Sequence, residues 1–139
     1  MANEEHPEFD LFCPGPPIPL MRPRLHGKGL YDPQFNEKEA LRQYIEPHIK
    51  EPFAGPLCLD LTFQMPIPLS WSNKKRVDPP ECVKRPDLSN LVKFIEDALN
   101  ETLWKDDSQI CELRARKLYH TDPGVRIRVI PVDAASYTG

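Results

Sequence analysis

Pro86-Asp-Leu-Ser-Asn-Leu-Val-Lys-Phe-Ile-Glu-Asp-Ala-Leu-Asn100 is the stretch on which the fold turns. Apolar residues recur at Leu88, Leu91, Val92, Ile95, Ala98 and Leu99, the i, i+3, i+4, i+7 spacing that lays a single apolar stripe along a helix. Ser89, Lys93, Glu96 and Asn100 fall on the outer face. Pro86 biases Arg85 away from helical backbone, so the helix starts at Asp87, a residue type suited to capping it.

On the downstream side, Ile110 to Tyr119 alternates, which predicts a strand with Cys111, Leu113, Ala115 and Tyr119 buried and Glu112, Arg114 and Arg116 opposite. Thr121-Asp-Pro-Gly124 reads as a turn. Val125, Ile127 and Val129 then alternate with Arg126 and Arg128, so residues 110 to 130 read as a hairpin whose open face bears four arginines. Directly opposed like charges cost up to ~1 kcal/mol per pair, and either an anion or plain solvation relieves them.

Upstream, Leu57 to Met65 alternates without a break and predicts a half-buried strand, with Cys58, Asp60, Thr62 and Gln64 on the polar side. Glu8 to Phe12 reads as a short strand, Cys13 to Pro19 as an extended connection and Leu30-Tyr-Asp-Pro33 as a turn. Asn36 and Glu39 have capping-box spacing with Phe35 placed to staple against Ala40, opening a helix whose apolar face is Leu41, Tyr44 and Ile45 and which ends or kinks before Pro47. Pro66 to Arg85 is irregular, basic and centred on Trp71, the pattern of a long loop.

Proline marks the same boundary. Seventeen prolines, about 12% of the chain against a usual ~5%, include fifteen before residue 87 and none from Asp87 through Asp122. Only the later stretch is free to build long uninterrupted elements. At 139 residues the chain is expected to form one domain, with residues 1–8 and 133–139 as flexible tails.

No apolar run approaches the ~20 residues of a membrane span, and the acidic N-terminus has no signal-peptide pattern, so a cytoplasmic protein with no membrane partner is expected. Cys13, Cys58, Cys82 and Cys111 form no C-x-x-C pair, which favours reduced, mostly buried thiols over zinc. Net charge is −3, mildly against a nucleic-acid partner. The bases nevertheless cluster at Arg22, Arg24 and Lys28, at Lys74, Lys75, Arg76, Lys84 and Arg85, and at Arg114, Arg116, Lys117, Arg126 and Arg128. Such clusters are either solvated faces or, together, a surface that follows phosphates.

Acids flank the central helix: Asp87 at its start, Asp106 and Asp107 beyond its end. The helix is about 18 Å long. Residues 100 to 106, if extended, reach back about 20 to 23 Å, enough to set the later pair beside Asp87. Converging carboxylates repel unless a cation lies between them, and oxygen ligands favour Mg²⁺ or Mn²⁺, an ion suited to phosphodiester hydrolysis. Asp87 as an ordinary N-cap and Asp106-Asp107 as an exposed turn remain alternatives. Ser89 and Lys93 share a helix face, but no oxyanion-hole motif supports a serine nucleophile.

Pro86-Asp-Leu-Ser-Asn-Leu-Val-Lys93, Asp97-Ala-Leu-Asn100, Asp106-Asp-Ser-Gln109 and Lys117 resemble the signature of the RusA family of Holliday junction resolvases. Gly15-Pro-Pro17, Met21-Arg-Pro-Arg24 and Tyr31-Asp-Pro33 resemble its N-terminal region, so the likeness runs from about residue 10 to 130. The resemblance implies an α+β fold, a small mixed β-sheet with two main helices. It also implies a homodimeric, Mg²⁺-dependent endonuclease that makes paired nicks in four-way DNA junctions. Asp87 and Asp107 then stand as catalytic aspartates and metal ligands, Lys93 as a required lysine and Asp106 as an auxiliary ligand. Lys74, Lys75, Arg76, Lys84, Arg85, Arg114, Arg116 and Lys117 form the DNA-binding set. Ser89 departs from the pattern, standing where the family has a second aspartate. It is a candidate ligand through its hydroxyl only, which leaves open a junction-binding protein with weak or no cleavage.

Overall fold

A computed structural model describes residues 7–22, 24–26 and 29–133. Its elements are β1 (Phe9–Pro14), β2 (Arg24–His26), β3 (Gly29–Tyr31), α1 (Phe35–Ile45), β4 (Leu57–Pro66), α2 (Asn73–Val77), α3 (Leu88–Leu99), β5 (Ile110–His120) and β6 (Gly124–Pro131). Strands β1, β6, β4 and β5 form one mixed sheet in that order, while β2 and β3 form a separate two-stranded ribbon. The α+β reading with two main helices, α1 and α3, holds.

The core lies between one sheet face and α3. Leu59, Leu61, Phe63 and Met65 of β4 meet Ile127 and Val129 of β6 and Phe9 and Cys13 of β1. Onto them α3 lays Leu91, Val92, Phe94, Ile95, Ala98 and Leu99, all buried. Burying each of the larger side chains is worth roughly 1.5–3 kcal/mol. Helix α1 contributes Ile45 and is tied to α3 by Arg42, whose Nε donates to the Ala98 carbonyl at 2.7 Å. At Gly124 a Cβ would sit 2.3 Å from the Phe12 ring and 2.6 Å from the Cys13 carbonyl, so only glycine lets β1 close on β6.

The hairpin expected over residues 110 to 130 does not form. β5 pairs parallel with β4, and β6 pairs antiparallel with the other edge of β4. Parallel neighbours need a crossover, which α3 supplies. Residues 121–123 then step over the end of β4, and three residues at ~3.3 Å each suffice to cross two strand spacings of ~4.8 Å. The apolar strand β4 thereby gains a partner on both edges. Its polar side is correspondingly less open than the alternation suggests, because both Cys58 and Asp60 are buried.

As the sheet edge, β5 leaves Cys111 exposed and Leu113 47% exposed, although both were expected inside. Cys13 and Cys58 are the buried thiols, pushed up to about 12 and about 11 chiefly by burial. Asn36 does not cap α1. Gln34 occupies that position without a side-chain bond, its own N–H donating to Asp32 Oδ1 at 2.9 Å, and Phe35 is too exposed to act as a staple. The chain continues past Ile45 as a 3₁₀ turn, Glu46–His48. The loop from Pro66 contains α2, capped by Ser72, whose Oγ accepts the Lys75 N–H at 3.3 Å. Residues 1–6, 134–139 and Lys28 lie outside the described residues.

Candidate active site and nucleic-acid interface

Asp87 stands at the N-cap of α3. Its carbonyl accepts the N–H groups of Asn90 and Leu91 at 3.1 and 3.2 Å, whereas its side chain makes no capping bond. The backbone therefore fixes the residue and its exposed carboxylate stays available, in the positive end of the helix dipole. It lines an open cleft with Pro19, Leu20, Arg85, Pro86 and Asn90. Lys117 on β5 sets the approach: its Nζ donates to the carbonyls of Lys84 at 2.5 Å and Pro86 at 2.8 Å. Lys117, expected on DNA, thus spends its ammonium on the peptides leading into Asp87. Ser89, in the first helical turn, is exposed, as is Lys93 one turn further on.

Asp106 and Asp107 do not return to this end. The N–H groups of Thr102 and Leu103 both bond to the Leu99 carbonyl, at 3.0 and 2.9 Å, so the chain turns sharply where the extended return was expected. Buried Leu103 and Trp104 pin that turn, with Trp104 bridged to Asn100 and Phe53. Asp106 caps the 3₁₀ turn Asp107–Gln109 in a reciprocal capping box. Its Oδ1 accepts the Ser108 N–H at 3.2 Å. Gln109 Nε2 in turn reaches the Phe53 and Gly55 carbonyls at 2.9 and 3.0 Å, beside the start of β4. Asp107 Oδ1 accepts the Trp104 indole N–H at 2.6 Å.

Asp87 and Asp107 therefore mark opposite ends of α3, with about 18 Å of helix between them. The expected convergence in one chain is not formed. Among the described residues no three His, Cys, Asp or Glu side chains are grouped to hold a metal. Asp107 instead neighbours Glu96: burial pushes the Glu96 carboxyl up, the charge of Asp107 pushes it further, and Lys93 pulls it back.

The arginine face finds its counter-ions within the sheet. Asp60, central and buried, accepts from Arg128 Nη1 at 3.0 Å and Arg116 Nη1 at 3.4 Å. Arg116 also donates to Thr62 Oγ1 at 2.6 Å. Asp10 takes both arms of Arg126, at 2.8 and 2.6 Å, and that hydrogen-bonded pairing holds its carboxyl below the usual value. Arg114 lies 3.4 Å from Glu112. The basic loop differs: Lys74, Lys75, Lys84 and Arg85 are exposed, while Arg76 is turned inward onto backbone carbonyls.

Three contacts escape a reading of the sequence. The Trp104–Asp107 bond has a faint signal in its spacing of three. The capture of carbonyls by Lys117 has none. Nor does the ion triad at Lys38, a buried lysine of α1 lying 2.6 Å from Asp32 and 2.5 Å from Asp97. Burial alone would push the Lys38 ammonium down, but the two carboxylates outweigh it and hold it above its usual value.

The chain thus forms a parallel β–α–β unit with carboxylates at both ends of its crossover helix, beside a lysine-rich loop. The family model for Endodeoxyribonuclease RusA matches residues 14–130, and the chain belongs to that family. A protein of Bacillus subtilis (strain 168), YqaN, itself uncharacterized, is 33% identical over 135 residues, covering 86% of this chain and 94% of that protein. Membership makes the chain an endonuclease of the Holliday junction resolvase class, a class generally dependent on a divalent metal. Among the described residues no helix is long and apolar enough to cross a membrane.

Proposed function

We propose that the chain works as a homodimer that cuts four-way DNA junctions with Mg²⁺ or Mn²⁺, in recombination and DNA repair. The observation that carries this reading is the separation of Asp87 and Asp107 along α3. The acids of one chain do not fit a shared ion, but two copies related by a two-fold axis, with their α3 helices antiparallel, bring Asp87 of each towards Asp107 of the other. Two equivalent composite sites follow, as symmetric nicking requires.

In this arrangement Asp87 and Asp107 would hold the ion, with Ser89 Oγ as a neutral donor and Asp106 contributing only what its capping role leaves free. The ion supplies a more acidic water and neutralises phosphate charge. Lys93 stabilises negative charge developing on the scissile phosphate. Lys117 holds the 84–86 backbone so that the Asp87 carboxylate keeps its aim, and Lys74, Lys75, Lys84 and Arg85 draw a DNA arm over the cleft.

Asp107→Asn tests the reading. Asn keeps an oxygen for the Trp104 N–H, so the fold should survive. Mg²⁺-dependent cutting of a synthetic junction should vanish while binding persists, and retained cutting would contradict the assignment. The exposed hydroxyl of Ser89 favours a second reading, binding with weak cleavage. In Ser89→Asp a large gain in rate indicates a weakened natural site, and no gain a complete one.

A further inference from the structure

Leu69 is 93% exposed, the barest large apolar side chain among the described residues. It lies just past the C-terminal end of β4, in a turn closed by the Trp71 N–H donating to the Pro68 carbonyl at 3.2 Å. The turn is built, not slack. The Arg76 guanidinium donates to the carbonyls of Pro68, Leu69 and Trp71 at 3.2, 2.8 and 3.1 Å. The Trp71 ring meets Tyr119 of β5 edge-on, with centroids 4.6 Å apart, and Lys75 Nζ sits 4.5 Å from the Trp71 centroid. The loop therefore keeps a leucine out of the core and holds it there. Tyr119 follows Lys117 by two residues, so the turn stands at the end of the sheet that bears Asp87.

We propose that Leu69 is a wedge that enters the base stack of the bound DNA at the branch point. Apolar side chains driven between base steps unstack them and bend the helix axis. Entry costs least where stacking is already interrupted, as at the crossing of four arms. The exposed Lys74 and Lys75 on α2 supply the charge that seats a polyanion around the leucine. The proposal rests on the junction-cutting reading and adds a residue that selects branched over linear DNA.

The test uses the full chain and a four-way junction carrying 2-aminopurine beside the branch point, with Ca²⁺ in place of Mg²⁺ to hold the DNA intact. Binding of the natural protein should raise fluorescence severalfold. Leu69→Ala should lose most of that rise and most of the preference for junction over duplex, while Leu69→Met keeps both. Val83→Ala, exposed to a similar degree on the same loop, should behave as the natural protein. An unchanged rise in Leu69→Ala overturns the wedge. So does a drop in molecular mass of that variant by light scattering, which would make Leu69 a contact between copies. Junction binding without any fluorescence rise removes the wedge alone, whereas no junction binding by the natural protein removes the underlying reading with it.

Discussion

Asp87→Asn and Asp107→Asn proteins, each inactive alone, should cut again when mixed. If Asp87 of one copy works with Asp107 of the other, a mixed dimer contains one site with both substitutions and one with neither. A site made within a single chain would instead be damaged in both halves. Random exchange of equal amounts makes about half of all dimers mixed, and half of the sites in those are intact, so about one quarter of the wild-type sites are restored. Each active dimer holds a single intact site and should nick one strand without its symmetric partner. The assay is a cruciform in supercoiled DNA, where paired cuts give linear product and lone nicks give open circles. The mixture should yield open circles at about a quarter of the wild-type initial rate. Neither substitution endangers the fold, since the Asp87 side chain makes no capping bond and Asn can still accept the Trp104 N–H that Asp107 accepts at 2.6 Å. A mixture as inactive as its parents, at concentrations where light scattering shows dimers exchanging, would refute the shared-site arrangement.

Lys117→Ala should lower kcat about tenfold or more with little change in junction affinity, because the lysine bonds to the Lys84 and Pro86 carbonyls and a loosened Asp87 loses its aim. A weakened Kd with a salt slope smaller by about one would instead mark Lys117 as a phosphate contact. Lys38→Met should cost about 2 kcal/mol at pH 7, since it leaves Asp32 and Asp97 without their buried partner. The Asp32 carboxyl is held below its ordinary 3.8, first by its hydrogen bond to Lys38. Its contribution is therefore complete above that value and lost as pH falls through the folded pKa. Lys38 itself, held above 10.5, contributes fully below that value and is lost only at more alkaline pH. Denaturant titrations of both proteins should converge in acid below about pH 3.8 and stay apart from there to pH 9. A gap independent of acid would show that packing, not charge, holds the triad.

The helix and the strands were legible because burial writes its period into them. α3 buries its apolar stripe against a single sheet face and shows a 3.6-residue repeat, and β4 and β6 alternate. Partnership was not legible. The sequences of β5 and β6 fit a hairpin as well as they fit two strands separated by β4. What separates them is the crossover by α3, which requires β5 parallel to β4. The two readings also place charge differently. In a hairpin the arginines face one another and want an external anion. With β4 between them, Asp60 pairs in register with Arg114 on one side and Arg128 on the other, so the repulsion is answered within the sheet. Arg114 and Arg116 then owe their positions to carboxylates of the same chain.

The position of Asp107 was lost for a related reason. Reach alone allowed residues 100 to 106 to return along the helix, but reach is a bound on what a chain can do. The outcome is decided by Leu103 and Trp104, which bury completely at the C-terminal end of α3. An extended return would pull both from the core, at a cost of several kcal/mol for the tryptophan alone. The same burial that parts Asp107 from Asp87 also gives Asp107 its rigidity, through the indole N–H at 2.6 Å. The two aspartates are thus positioned independently, one by the start of a helix and one by a buried tryptophan. Within one chain neither depends on the other, so in the proposed homodimer the pairing of two copies would be the step that brings them together and on which cutting would depend.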